Sequence, residues 1–270
     1  MKYGQGWRGI LKCISLVRRV RKETWDIGIE MRGDIRQILL LALIGPLRRV
    51  GFDFSGGGDL LTDVVFDDGS YAHLANHHQR IAEHLGIWPE NTEYRPFLRL
   101  TEEEVQNVKN TQPFIGFHFG ASLPLKRLPN LEAVKLLHNW QGANLPIFIF
   151  VPPDDKVNIQ HMIMNLPDSL KSKITIWSGG LRDFIVTVSK AKHLFAMDSG
   201  PAHIAAALGV NVTIFYGPTV SDYVRPLGEN VEIIQKEAVT CRPCDQIHCS
   251  NPKKHYCMNG LVSLAKVGDE

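Results

Sequence analysis

The hydrophobic pattern is most regular in the second half of the chain, where short apolar runs alternate with amphipathic stretches of helical length. The runs predict strands over residues 114–119, 146–151, 174–177, 193–197, 212–216 and 231–234. The stretches between them predict helices over residues 131–140, 157–164, 181–190 and 201–208. Strands that are apolar on both faces and separated by helices indicate a parallel sheet covered on both sides. Residues 106–270 are therefore predicted to form a Rossmann-like domain.

The first part of the chain follows the same rhythm less completely. Strands are predicted over residues 25–31 and 49–52, and helices over residues 35–43 and 73–85. A linker over residues 89–96 separates this part from the second domain. The predicted fold class is α/β, with two Rossmann-like domains, of which the amino-terminal one spans residues 1–105.

The amino-terminal segment is basic, because no acidic residue precedes Glu23. Apolar residues recur in it at helical spacing, among the basic residues Lys2, Arg8, Lys12, Arg18, Arg19, Arg21 and Lys22. One interpretation is a helix that packs on a sheet with its charges in solvent. The other is an amphipathic helix that contacts an anionic membrane surface.

Composition is that of an ordinary globular protein. The 270 residues are 44% hydrophobic and 21% charged, and the formal net charge of +2 gives no overall attraction to nucleic acid. The longest apolar run, residues 38–47, includes Gly45 and Pro46, is too short to cross a bilayer and predicts a buried helix end. No secretory signal is recognisable, so we expect a cytoplasmic protein.

Two turns at predicted strand ends carry residues suited to a phosphate-containing ligand, which in a doubly wound sheet lies at the carboxyl ends of the strands. The first reads Asp198-Ser199-Gly200-Pro201 and opens a helix, whose free amides and dipole favour a diphosphate. Ser199 is expected to cap this helix, and Gly200 to let a ligand approach the backbone.

Asp198 itself would repel phosphate. We expect it to orient the turn or to accept hydrogen bonds from a sugar or ribose hydroxyl, with His203 as a donor in the same pocket. The alternative is a plain strand-to-helix turn in which Asp198 is a structural cap.

The second turn follows residue 118. Its small residues Gly120, Ala121 and Ser122 permit close approach to phosphate oxygens, and Lys126 can place a positive charge on a diphosphate.

These pieces resemble glycosyltransferase family 9, the lipopolysaccharide heptosyltransferases. The signature stretch reads DSGPAHIAAALGVNVTIFYGPT, in which Tyr216 departs slightly from the family's closing motif. HFGAS with the downstream Lys126, and MRGD at residues 31–34, match further family motifs, so the resemblance covers nearly the whole chain.

The resemblance implies an enzyme of the GT-B type that transfers a sugar with inversion to a lipid-linked core oligosaccharide. ADP-heptose is the implied donor, held by the second domain, and no cofactor is required. Peripheral contact with the inner membrane would suit such an acceptor. The implied donor contacts are Gly120, Ala121, Ser122, Lys126, Asp198, Ser199, Gly200, Pro201 and His203. Asp155 is a candidate ribose contact, although a solvated acid on a loop is the simpler interpretation.

Members of the family begin with a strand and a Gly-Asp turn, whose acid is the candidate base, and end with a further helix. Neither is recognised here, so the resemblance implies a truncated amino-terminal domain in which Asp34 is the remaining candidate base. Two alternatives to a transferase stay open: a nucleotide-sugar-binding module without catalysis, and a nucleotide-sugar epimerase of the same architecture.

Four cysteines form a separate cluster near the carboxyl end. Cys241, Cys244, Cys249 and Cys257 have a C-x2-C-x4-C-x7-C spacing, which suggests a structural zinc site or an iron–sulfur cluster. Disulfides and free thiols are the alternatives. Because the segment follows the last predicted strand, we expect it to lie away from the donor turns.

Overall fold

The chain divides into two compact units, residues 1–94 and residues 95–270. The computed structural model describes residues 6–69, 73–89, 95–140, 144–152, 156–164, 166–244, 246 and 248–265. The predicted boundary lay eleven residues later, between 105 and 106. Residues 95–105 group with the second unit because Leu98 N donates to Ala207 O at 3.0 Å and Glu104 pairs with Arg182 at 2.5 Å.

Unit 1, residues 1–94, contains a three-stranded parallel sheet in the order β1-β2-β3. Its elements are α1 (Gly6–Val20), β1 (Ile27–Glu30), α2 (Ile35–Ile44), β2 (Arg48–Gly51), a 3-10 helix (Gly58–Leu60), β3 (Asp63–Val64) and α3 (Leu74–His84). A small core of Val50, Phe52, Val65 and Ile81 joins the sheet to α3. The two-residue strand β3 was not predicted, since it is too short to show alternation.

The apolar run at residues 38–47 does not form the buried helix end that the sequence predicts. Gly45 ends α2 in the left-handed conformation, with φ of 82°, and its amide donates to Leu41 O. Ile38 is buried, but Leu39, Leu43 and Leu47 are exposed. Within the described residues, no helix combines the length and the apolar character needed to cross a membrane.

Unit 2, residues 95–270, is built on a six-stranded parallel sheet in the order β6-β5-β4-β7-β8-β9. The strands are β4 (Phe114–His118), β5 (Ile147–Phe150), β6 (Ile174–Trp177), β7 (Ala191–Met197), β8 (Asn211–Tyr216) and β9 (Val231–Gln235). The helices are α4 (Glu102–Val108), α5 (Asn130–Asn139), α6 (Lys156–Ile163), α7 (Asp168–Lys171), α8 (Leu181–Val188), α9 (Gly200–Ala207) and α10 (Ser221–Val224), with 3-10 helices at Pro124–Lys126 and Val262–Leu264.

Both faces of this sheet are buried, as the continuous apolar runs predict. Successive side chains of a strand point to opposite faces, so Phe114 joins one core while Ile115 joins the other. The first core is closed by α8 and α9, and the second by α5, α6 and α7. The strand order reverses between β4 and β7, the strands at the centre of the sheet. In a doubly wound fold this reversal is where a ligand site forms.

Candidate functional site

Two turns leave the sheet of unit 2 side by side where its strand order reverses. Parallel pairing places His118, at the end of β4, opposite Ala196, near the end of β7. The turn after β4 and the turn after β7 therefore emerge at the same edge. They carry most of the residues that the sequence predicts as donor contacts.

Lys126 and Asp198 form an ion pair across these two turns. Lys126 Nζ lies 2.5 Å from Asp198 Oδ2, and the two side chains are 21% and 9% exposed. Partial burial strengthens such a pair relative to one in bulk water. The sequence predicts the two residues as separate ligand contacts, whereas the structure brings them into direct contact. An anionic ligand that approaches Lys126 must compete with the carboxylate of Asp198.

Ser199 occupies the N-cap position of α9 but does not cap the helix with its side chain. Its Oγ donates to Met197 O at 3.1 Å and lies 3.4 Å from His118 Nδ1. The expectation that Ser199 caps α9 is therefore wrong, because its Oγ is turned toward Met197 O and His118 and accepts no hydrogen bond from an amide of the first turn of the helix. The helix begins without a side-chain acceptor at its amino end, which leaves that end available to an anion.

Gly200, the first residue of α9, faces open space. A Cβ atom added there would meet no protein atom within 4 Å, and the backbone does not require glycine through a positive φ. A Cβ atom at Gly120 would lie 3.4 Å from the ring of His118. Packing therefore does not require glycine at position 200. A ligand group that approaches the backbone closely is an alternative reason for glycine there.

The remaining predicted contacts lie on the turn after β4 and on the first turn of α9. Ala121 is buried, and its carbonyl oxygen accepts a hydrogen bond from Arg127 Nε at 3.1 Å. Ser122 and His203 are exposed, and Pro201 is the second residue of α9. Asp155 lies outside the described residues.

Tyr216, the last residue of β8, is buried within electrostatic range of Asp198. It is fully buried, and its hydroxyl is directed to Val224 O at 3.5 Å. Burial raises its pKa, and the negative charge of Asp198 raises it further, which places the phenol in the electrostatic field of the ion pair. In the sequence it is simply the aromatic end of an apolar strand.

The four clustered cysteines do not assemble a metal site in the described part of the chain. All are free thiols, and no three His, Cys, Asp or Glu side chains there are grouped to hold an ion. Their surroundings differ: Cys244 N donates to Pro218 O at 3.0 Å, while the Cys249 thiol accepts from His255 N at 3.3 Å. The latter bond lowers the pKa of Cys249, whereas burial raises that of Cys257. The structure therefore does not support the predicted zinc or iron–sulfur site.

The cysteine segment, residues 241–258, is also closer to the sheet edge than expected. It contacts the turn after β8 through Cys244 and through Arg242, whose Nε donates to Gly217 O at 2.8 Å. Because β8 pairs with β7, this turn is the neighbour of the turn that contains Asp198. The segment thus adjoins the neighbour of a donor turn through non-local contacts that leave no periodic signal, and its remoteness from the donor turns themselves stays a prediction.

Asp34, the candidate base of unit 1, is the N-cap of α2. Its carboxylate accepts from Arg36 N and Arg36 Nε, both at 2.9 Å. The side-chain hydrogen bond from Arg36 is the main reason that the pKa of Asp34 falls to about 2. These are the contacts of a capping residue, and a carboxylate with so low a pKa is a weak general base.

The turn before Asp34 is held by a buried acid, Glu30. Its carboxylate accepts from Arg32 N at 3.0 Å and from Gly33 N at 2.5 Å. Gly33 has a φ of 63°, and a Cβ atom there would lie 2.9 Å from Phe54 N. The MRGD turn is thus fixed by backbone contacts as well as by its cap.

Comparison with known proteins places the sequence in a family. The sequence model of glycosyltransferase family 9 (heptosyltransferase) matches residues 13–255. The lipooligosaccharide heptosyltransferase 2 of Haemophilus influenzae is 23% identical over 231 residues, which cover 79% of this chain and 66% of that protein. The match thus spans just under two thirds of that relative's length.

Two solved structures share the fold. The ADP-heptose lipopolysaccharide heptosyltransferase II of Escherichia coli matches with a TM-score of 0.70 and 21% identity, over 86% of this chain and 74% of that one. The E. coli heptosyltransferase WaaC with ADP-2-deoxy-2-fluoro heptose matches with a TM-score of 0.64 and 15% identity, over 84% of this chain and 71% of that one. These likenesses confirm the predicted α/β fold of the GT-B type.

The low pKa of Asp34 generates a prediction about pH. A pKa of about 2 in the folded chain, against an ordinary value of 3.8, means that ionised Asp34 stabilises the fold above pH 3.8. That contribution is lost as the pH falls through the folded pKa. We expect Arg36→Ala to return the pKa of Asp34 toward its ordinary value, as measured by NMR titration of the carboxyl carbon. Asp63, whose pKa is lowered by Arg48 instead, is the internal control. An Asp34 that titrates normally in the unaltered chain would contradict the assignment.

Proposed function

The chain belongs to glycosyltransferase family 9, and we propose that it transfers a sugar with inversion from an ADP-activated donor to a lipopolysaccharide core acceptor. ADP-heptose is the proposed donor, because the similar proteins are named for heptose transfer. The observation that carries the proposal is the open start of α9 beside the Lys126–Asp198 pair. A helix end that favours anions and a nearby cation are what a nucleotide diphosphate needs.

The diphosphate is proposed to lie at the amino end of α9. The helix dipole favours negative charge there, and Gly200 leaves space for a phosphate oxygen to approach the backbone. Gly120, Ala121 and Ser122 line the neighbouring turn after β4. Pro201 contributes no N–H group and fixes the helix start in place.

Lys126 is proposed to exchange partners when the donor binds. Its ammonium group leaves Asp198 for a phosphate oxygen, where it stabilises the charge that develops as the bond from sugar to diphosphate breaks. Asp198, once released, accepts hydrogen bonds from hydroxyl groups of the sugar or ribose, with His203 beside it. The pair is neutral before the donor binds, and once the donor is bound the amino end of α9 helps Lys126 to offset the charge of the diphosphate. The transfer step as proposed requires no metal ion.

The acceptor is proposed to be a lipid-linked core oligosaccharide. Its hydroxyl oxygen forms a bond to the anomeric carbon as the diphosphate leaves on the opposite face, and the hydroxyl proton passes to a base. ADP release with and without acceptor tests the reaction class. A transferase releases ADP only when the acceptor is present. A binding module binds the donor but releases no ADP. An epimerase alters the sugar of the donor without an acceptor and without releasing ADP. Release independent of acceptor, or none at all, would contradict the proposal.

The same assay tests Asp34 through Asp34→Asn. Asparagine caps a helix as well as aspartate does, so the fold is preserved while the basic group is lost. We expect transfer to survive, because Arg36 already makes this carboxylate a weak base. A loss of roughly 100- to 10,000-fold would instead assign the base to Asp34.

Lys126→Ala is expected to weaken donor binding while leaving the fold intact. A charge-assisted hydrogen bond contributes about 1.5–3 kcal/mol, so the Kd for ADP should rise roughly ten- to hundredfold in calorimetry. Lys171→Ala is the matched control, because Lys171 pairs with Asp168 at 2.9 Å in the same unit. An unchanged affinity in Lys126→Ala would remove that residue from the site.

Gly200→Ala supplies a second arm of this test. The added methyl group meets open space, so the free energy of unfolding should stay within about 0.5 kcal/mol of that of the original chain. Binding of ADP should nevertheless weaken, since the methyl group occupies the proposed path of the diphosphate. Full affinity in this variant would place the diphosphate elsewhere.

We further propose that α1 contacts an anionic membrane surface. One stripe of the helix, Cys13, Leu16, Val17 and Val20, is half-buried. Ile10, Leu11 and Ile14 remain 51%, 63% and 43% exposed among Lys12, Arg18 and Arg19. Apolar side chains beside cations match a surface of acyl chains and anionic headgroups. Such contact would bring the chain to a lipid-linked acceptor.

Vesicle sedimentation tests this contact. We expect binding to vesicles rich in phosphatidylglycerol, weaker binding at high salt and little binding to phosphatidylcholine. Leu11→Gln should weaken binding roughly tenfold, since burying a leucine contributes about 1.5–3 kcal/mol. Leu131→Gln, at an exposed leucine of unit 2, is the control. Equal binding to both lipids, or none to either, would contradict the proposal.

A further inference from the structure

A third turn stands at the edge of the sheet that carries the proposed donor site. It comprises residues 217–219 and follows β8, and we call it the β8 turn. Parallel pairing of Met197 with Phe215 places it next to the turn that contains Asp198. The β8 turn therefore borders the proposed diphosphate position, although no donor contact was predicted in it.

Arg242 ties the β8 turn to the end of β9. Its Nε donates to Gly217 O at 2.8 Å, and its Nη1 donates to Lys236 O at 2.8 Å. With the Gln235 side-chain oxygen turned toward Arg242, that oxygen accepts from Nε at 3.1 Å, and the Gln235 amide donates to Ser221 Oγ at 2.6 Å. One guanidinium group thus connects the start of the turn, the end of the neighbouring strand and, through Gln235, the residue that begins α10.

Apolar packing holds the same turn from the side of the cysteine segment. Met258 is fully buried, and a Cβ atom at Gly217 would collide with its Sδ, so a larger residue there would require Met258 to move. Cys244 N donates to Pro218 O at 3.0 Å. These contacts keep the segment in place, whereas Arg242 fixes the direction of the Gly217 carbonyl group.

We propose that Arg242 is a positioning residue of the nucleotide-sugar site, which holds the β8 turn in the conformation that the bound donor contacts. This inference rests on the proposed function. The planar guanidinium can serve two carbonyl oxygens in fixed directions, which a single ammonium group cannot do. Burial lowers the pKa of Arg242, although nearby Cys257 and Cys241 oppose that effect. A guanidinium stays charged despite such a shift, so it remains a donor throughout.

Calorimetry with ADP on the full chain tests this role. We expect Arg242→Gln to raise the Kd for ADP about tenfold and Arg242→Lys to raise it less, because lysine keeps the charge and one of the two hydrogen bonds. With ADP-heptose and acceptor, KM should rise while kcat stays nearly constant, since the turn binds the donor but does not touch the reacting atoms. Arg242→Lys also carries the test if Arg242→Gln does not fold.

Thr213→Val is the matched control for a general loss of stability. Thr213 is a buried residue of β8 that donates to Glu232 Oε2 at 2.7 Å and lies 2.9 Å from His193 Nε2. Thr213→Val should lower the melting temperature of the chain but leave its Kd for ADP unchanged. If Arg242 and Thr213 variants lose affinity in proportion to stability, the positioning role is wrong. If the original chain binds ADP and the Arg242 variants bind it equally well, this inference fails while the proposed function stands. An original chain that does not bind ADP overturns both.

Discussion

The pairing of β4 with β7 is the constraint on which the site depends. Both strands are buried on both faces, and they pair in parallel although, in the described chain, four α-helices, one 3-10 helix and two strands separate them. Hydrophobic burial from both sides fixes that pairing, and the pairing fixes the turns that leave its carboxyl edge. The strand ends that carry these turns cannot shift without disturbing one of the two cores.

The pairing of β4 with β7 also brings Lys126 to Asp198, and this ion pair explains how an aspartate can lie beside a proposed diphosphate position. Asp198 alone would repel a phosphate, and Lys126 alone would be a half-buried cation without a counter-charge. Their contact at 2.5 Å leaves the turn close to neutral when no ligand is bound. Burying two opposite charges together costs less than burying either one. The same two side chains can then separate toward a ligand that has both phosphates and hydroxyl groups.

Buried strands were predictable from the sequence, whereas features that depend on single contacts were not. The predicted strand at residues 174–177 matches β6, because three apolar residues and a β-branched threonine between turns have few alternatives. The helix α4 was missed although Thr101 and Glu104 form a capping box, since its mostly polar sequence lacks an apolar stripe. The position of Ser199 was correct but its hydrogen bond was not, because a hydroxyl can choose between two nearby backbone partners. The contact between Arg242 and Gly217 spans 25 residues and has no local signal.

The three turns at the edge share an arrangement that suits an anion. In each, a carbonyl oxygen is taken up by a side-chain donor: Ala121 O by Arg127 Nε, Met197 O by Ser199 Oγ and Gly217 O by Arg242 Nε. A carbonyl oxygen carries partial negative charge, so one left at the edge would repel a phosphate. Two of the three donors are arginines, which replace that partial charge with a net positive one. These three carbonyl oxygens are therefore occupied before any ligand arrives, and the two arginines, together with Lys126, leave the carboxylate of Asp198 outnumbered by cations around the three turns.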